Sequence, residues 1–139
     1  MVESGDWVTP TLNGAPRFAK PAFTYWLISG SYLAFGVNEF TARLPSALFG
    51  IALVLMQYAF ASRLLGPAVG FRAALMLLLN FEILAIGRMV LTDMVMVFFT
   101  TLSVFSFFLA MWGEGTAKRW YWGFHLGMGL ATLTKGPVG

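Results

Sequence analysis

A chain of 139 residues that is 58% hydrophobic and only 11% charged is not an ordinary soluble domain, in which about a quarter of the residues are charged. Its mean hydropathy of +0.75 calls for lipid as solvent. The net charge of +3 comes from scattered basic residues that form no patch, which excludes nucleic acid as a partner, and the absence of cysteine excludes disulfides and thiolate metal sites.

Residues 1–19 are polar, punctuated by Gly and Pro, and lack a helical period. They predict an extended surface loop. Met1-Val2-Glu3-Ser4-Gly5-Asp6 has neither the basic start nor the apolar run of a signal peptide. Residues 21–35 are apolar but short: about 22 Å as a helix, against roughly 30 Å of hydrocarbon. Tyr25, Trp26 and Tyr32 suit the membrane interface, so this segment predicts a helix lying at, or dipping into, the bilayer surface. Gly36 ends it, and Asn38 is placed to cap the next helix.

Residues 44–61 are the first clear span, with Pro45 expected in its opening turn, where a missing N–H costs little. A connection over 63–72 contains Gly66-Pro67. Residues 73–87 continue as a second span, starting near Val69 with Arg72 snorkelling. Residues 88–93 form a tight polar break, 94–112 a third span, 113–119 a polar loop, and 120–134 a fourth span, after which Lys135-Gly136-Pro137 closes the segment. Spans of about 18 to 20 residues without two-residue alternation are helices, not barrel strands. Gly123, Gly127 and Ala131 recur every four residues, a spacing that lets helices approach closely. The expected fold class is therefore all-α integral membrane: an external loop with its interfacial helix over 1–40, then a transmembrane region of about four helices over 41–139.

Alternating topology places Arg63, Arg72, Lys118 and Arg119 on one membrane side and Arg17, Lys20, Arg43, Arg88 and Lys135 on the other. The positive-inside count is nearly a tie. Lys20, Arg88, Asp93 and Lys135 come from three separate connections and fall on one face. Two readings stand: each is a snorkelling head-group anchor, or together they line a cavity in which the cations hold a phosphate and Asp93 handles protons or orients a cation. Glu82, inside the second span, is expected to pair with a neighbouring helix. Asp6 and Glu3 read as solvated loop acids. His125 is a lone imidazole without partners at metal-ligand spacing, so no metal site is expected. No phosphate-binding Gly loop, arguable Ser/His/Asp set or zinc signature is present.

The strings Ser4-Gly5-Asp6-Trp7-Val8-Thr9-Pro10, Leu12-Asn13-Gly14, Phe18-Ala19-Lys20-Pro21, Tyr25-Trp26-Leu27, Phe35-Gly36-Val37-Asn38-Glu39 and Ala42-Arg43-Leu44-Pro45-Ser46-Ala47 resemble the first external loop and second spanning helix of GT-C membrane glycosyltransferases. The type is that of the aminoarabinose transferases and protein mannosyltransferases. Leu91-Thr92-Asp93-Met94 and Leu133-Thr134-Lys135-Gly136-Pro137-Val138-Gly139 resemble the family's next two external loops. The resemblance implies an enzyme that transfers a sugar from a polyprenyl-phosphate carrier to a lipid, protein or glycan acceptor, with inversion. An acidic residue deprotonates the acceptor and lipid phosphate leaves, stabilised by preorganised cations.

By resemblance Lys20 is the main phosphate contact, with Lys135 and Arg88 assisting, and Asp93, the candidate catalytic residue of this chain, matches the second acidic position of the family's site. The resemblance also implies a multi-pass protein of the inner (plasma) membrane with an extracytoplasmic active face, partnered by membrane lipid and the polyprenyl-phosphate-linked sugar. No cofactor is fixed; a divalent metal is the one that relatives leave open. Ala19 and Ala22 stand where the family usually has an acid and a second proline, which weakens the case for a metal beside Lys20. The family's principal acid lies on an Asp-Glu pair upstream of the Gly-Asp-Trp string, so the expectation is a piece of a longer enzyme, itself inactive. A scaffold subunit, or a transporter of a lipid-linked anion, is the alternative.

Overall fold

The computed structural model describes residues 7, 11–12, 15–16, 21–90, 92–112 and 117–136. Two short antiparallel strands, β1 (Thr11–Leu12) and β2 (Ala15–Pro16), precede six helices: α1 (Phe23–Phe35), α2 (Glu39–Leu65), α3 (Pro67–Leu78), α4 (Phe81–Arg88), α5 (Asp93–Trp112) and α6 (Ala117–Lys135). Helix α2 packs against α1, α3, α4 and α5, the most extensive pairing is that of α5 with α6, and α5 carries the buried core. Its Val95 and Phe99 form the core with Ala131 of α6, and Phe23 and Leu27 of α1 and Phe49 of α2 close over them.

The buried set is not the usual apolar one. Thr24, Ser29, Ser31, Thr41, Ser46, Ser103, Ser106 and Thr134 are buried, whereas Leu33, Phe35, Phe40, Ile51, Leu55, Phe71, Met76 and Phe81 are exposed. Lipid is as apolar as leucine, so helices in a bilayer associate through close packing and hydrogen bonds, and small polar residues gather at their contacts. The glycine spacing of α6 performs this role. A Cβ on Gly127 would lie 2.8 Å from the carbonyl oxygen of Phe99 and the amide nitrogen of Ser103, and one on Gly123 would meet the Ser106 hydroxyl. The Ser103 hydroxyl donates to the carbonyl of Phe124 at 3.1 Å.

Helix α1 is 13 residues long, about 20 Å, shorter than a bilayer's hydrocarbon. Trp26 donates its indole N–H to the carbonyl of Trp7 at 2.7 Å, tying Trp7 to this helix. Asn38 caps α2 through a capping box with Thr41. Helix α2 starts earlier than the hydropathy suggests and runs for 27 residues, with only Gly66 (φ 91°) between it and α3. Pro45 is thus inside the helix rather than in its first turn. A proline there removes the donor that the Thr41 carbonyl would receive. The Ser31 hydroxyl of α1 supplies the replacement, donating to that carbonyl at 2.6 Å.

The second span departs most from expectation. It is broken into α3 and α4, bent by 60°. Asn80 at the break turns its side chain onto the amides of Glu82 and Ile83 (3.0 and 3.2 Å), competing with helix continuation. Glu82 therefore sits exposed in the first turn of α4, a favourable place for an acid, and makes no ion pair among the described residues. By length and composition α2 and α5 are each able to cross a membrane, and the bent α3–α4 pair passes the same test only if its two halves count as one broken span rather than a re-entrant loop. Helix α6 has the length, 19 residues, but Lys118, Arg119, His125 and Lys135 with three glycines lower its apolarity.

Candidate functional site

Asp93 opens α5 and Lys135 closes α6, and the Lys135 ammonium donates to the Asp93 carboxylate across 42 residues of sequence. The pairing follows from helix geometry. Gly123 against Ser106, and Gly127 against Ser103 and Phe99, hold α5 and α6 antiparallel at close range. Extending that register to the end of the pair brings 93 opposite 135. Each charge also suits its helix terminus, an acid in a first turn and a cation in a last turn. Both side chains keep part of their surface open, 27% for Asp93 and 36% for Lys135, so the pair is reachable from outside the bundle. Beside it Thr92 is buried with its hydroxyl unpartnered. Thr134 is buried too, but its hydroxyl donates to the Leu130 carbonyl at 2.7 Å.

Arg88 ends α4 five residues before Asp93 and is exposed. It makes no ion pair among the described residues. Gly87 next to it and Gly50 of α2 both abut Met94: a Cβ at either would sit 3.4 and 3.6 Å from the Met94 thioether methyl. These contacts fix the end of α4 against the start of α5. Arg88 borders an apolar groove of about 350 Å³ between α2 and the bent α3–α4 pair, walled by Ile51, Val54, Leu55, Leu78 and Leu84.

Asp93, Lys135 and Arg88, singled out from the sequence, thus gather at one end of the bundle. Lys20 lies outside the described residues, as do Arg17, Glu3 and Asp6. Sequence reasoning missed two features. The Asp93–Lys135 ion pair joins residues that had been assigned separate tasks. The groove depends on the break at Asn80, whose signal was an Asn followed by an acid two residues on. Among the described residues no group of three or more His, Cys, Asp or Glu side chains is arranged to hold a metal. Arg43, also on this side in the sequence, pairs with Glu39 one turn away on the exposed face of α2.

The end of the bundle thus presents a partly open carboxylate and ammonium together with a guanidinium that meets no acid among the described residues. The family description of dolichyl-phosphate-mannose-protein mannosyltransferases matches residues 1–139. An uncharacterized protein of Aquifex aeolicus is 35% identical over 143 residues, covering 100% of this chain and 28% of its own. The undecaprenyl phosphate-alpha-4-amino-4-deoxy-L-arabinose arabinosyl transferase 2 of Pseudomonas fluorescens is 35% identical over 142 residues, covering 98% of this chain and 24% of its own. The crystal structure of ArnT from Cupriavidus metallidurans bound to undecaprenyl phosphate superimposes with a TM-score of 0.94 at 30% identity, over 99% of this chain and 26% of that one. Its apo state gives the same score at 28% identity. The chain spans about a quarter of the length of the curated relatives it matches. The fold is that of an all-helical, multi-pass membrane protein, and the chain belongs to the dolichyl-phosphate-mannose-protein mannosyltransferase family.

Proposed function

We propose that this chain forms part of a membrane glycosyltransferase that takes sugar from a polyprenyl-phosphate donor, with the Asp93–Lys135 end of the bundle contributing to its active site. The observation that carries the reading is the superposition, over 99% of this chain, on a relative solved with undecaprenyl phosphate. In the transfer, an acceptor oxygen attacks the anomeric carbon. The bond from that carbon to the phosphate oxygen breaks with its electron pair, the acceptor proton passes to a carboxylate, and polyprenyl phosphate leaves. The leaving group gathers negative charge, so fixed cations lower the barrier most when they are already in place.

Lys20, Arg88 and Lys135 serve as those cations. Asp93 acts as acid–base group or as the partner that holds the Lys135 ammonium at a fixed point. The apolar groove beside Arg88 supports a substrate that brings hydrocarbon with its phosphate. On this reading the region 1–40 is an external loop with its interfacial helix, 41–139 is membrane-embedded, and the active face is on the extracytoplasmic side of the plasma membrane. The test is transfer of labelled sugar from a polyprenyl-phosphate donor by the protein made from its complete reading frame. Transfer that falls sharply in both Lys20→Ala and Asp93→Asn, with insertion intact, is expected. Donor binding without transfer in the wild type, under any acceptor tried, would make the protein a carrier or scaffold.

A further inference from the structure

The opposite end of the bundle also has a built pocket, and the transfer reaction makes no use of it. Arg63 stands in the last turn of α2, with its guanidinium carbon 5.5 Å from the centre of the Trp120 ring in the first turn of α6. Arg119 lies 6.0 Å from the same ring. Arg63 and Trp120 border a cavity of about 170 Å³ between α2, α5 and α6, walled by Met56, Phe60, Leu102, Phe105 and Leu109. Phe60 and Phe105 stack face to face, 3.8 Å between ring centres, and stiffen that wall.

The pocket is half open and its wall is mostly apolar, so a hydrocarbon chain can enter it from the rim and bury apolar surface there. The charges at the rim point the same way. Arg63, Lys118 and Arg119 are exposed and meet no carboxylate among the described residues. Lys118 and Arg119 further occupy a first helical turn, where the helix dipole disfavours cations. A rim of cations that meet no acid among the described residues, around a tryptophan at a helix end and over a hydrocarbon-sized cavity, matches a phosphodiester with an attached acyl chain.

We propose that this α2–α5–α6 junction binds an anionic phospholipid, with Arg63 and Arg119 on its phosphate and one acyl chain lying past Trp120 into the cavity. It differs from the proposed donor site in position and in ligand, since the two lie at opposite ends of the bundle. Each basic residue near an anionic surface multiplies binding roughly fivefold, so removing both arginines is expected to lower selectivity by an order of magnitude or more. The protein, made from its complete reading frame, is placed in nanodiscs of mixed phosphatidylglycerol and phosphatidylcholine, and the co-purifying lipid is counted by native mass spectrometry. Wild type should retain phosphatidylglycerol in excess, and Arg63→Gln/Arg119→Gln should retain the two equally.

Chain position is read with phosphatidylglycerol brominated on the acyl chain. The quenching lost on Trp120→Phe reports Trp120, and Ala59→Phe, which fills the cavity, should abolish that component. Unchanged lipid selectivity in the double arginine variant overturns the head-group site. Absence of Trp120-specific quenching overturns the acyl chain and gives the cavity to another protein segment. Normal sugar transfer by the double variant is expected in every case where the lipid is lost; transfer lost with it would place the arginines in the reaction and overturn the separation of the two sites.

Discussion

The two ends of the bundle carry similar numbers of charges and use them differently. At one end an acid and a cation from helices far apart in sequence meet at Asp93–Lys135, each on the helix terminus that favours its sign, with Arg88 nearby. At the other end Arg63 and Arg119 lean on the ring of Trp120 and meet no acid among the described residues. Loop-charge counting cannot separate these arrangements, because it weighs cations without their partners. A carboxylate held across two helices is a device for positioning charge, and positioning is what a charged transition state requires. Cations over an aromatic ring at a helix end suit the lipid–water boundary.

The comparison breaks outright if the two ends share a membrane side. The chain has no cysteine, so single cysteines at the exposed positions Val37 and Val90 at one end, and Ala68 and Lys118 at the other, can be probed in whole cells with an impermeant maleimide. The first two should label fully, and the second two only after permeabilisation. Val90→Cys labelling together with Ala68→Cys would dissolve the two-ended picture.

The next largest effect is chemical. Asp93→Asn should lower transfer by roughly 10² to 10⁴, the range for loss of a general acid–base group, without loss of insertion. Lys135→Met should fall by a similar order. Exchanging the charges, Asp93→Lys with Lys135→Asp, keeps an acid–cation pair and should allow insertion but not transfer. Equal rates in Asp93→Asn and wild type would reduce the pair to a structural clasp.

A smaller effect sharpens how the pair is held. Gly127→Ala should destabilise the bundle by about 1–3 kcal/mol, because its Cβ meets backbone of α5 at 2.8 Å. Gly129→Ala, with nothing within 4 Å, should be neutral or stabilising by up to about 1 kcal/mol. Melting in detergent followed by circular dichroism reads both. Matching losses at the two positions would mean that α6 does not rest on α5 at Gly127.

The smallest effects concern the α1–α2 joint. Ser31→Ala should cost about 1 kcal/mol by leaving the Thr41 carbonyl unpaired. In a Pro45→Ala background the helix recovers its own donor, and the same substitution should cost clearly less. An equal cost in both backgrounds would show that Ser31 does not stand in for the missing amide. Arg43→Ala, which removes only an exposed i,i+4 pair with Glu39, should stay within about 0.5 kcal/mol.

Composition alone determined that the chain lives in lipid, and short-range rules determined much of the rest. Asn38 was legible as a cap, residues 21–35 as a helix too short to cross, and the Gly123, Gly127, Ala131 ladder as a packing face. These features depend on neighbours within a turn or two, which a sequence displays. Asp93, Arg88 and Lys135 were legible as a group because charge is costly beside hydrocarbon and tight connections alternate sides. Tertiary structure alone decided the rest. The ion pair of Asp93 with Lys135 needs the antiparallel register of α5 and α6, set by close packing at Gly123 and Gly127 that leaves no room for a Cβ. Pro45 inside α2 is tolerated because Ser31 arrives from another helix to serve the freed carbonyl. The break at Asn80 was hidden because hydropathy sums residues over a window, whereas a helix bends when one side chain turns onto its backbone amides.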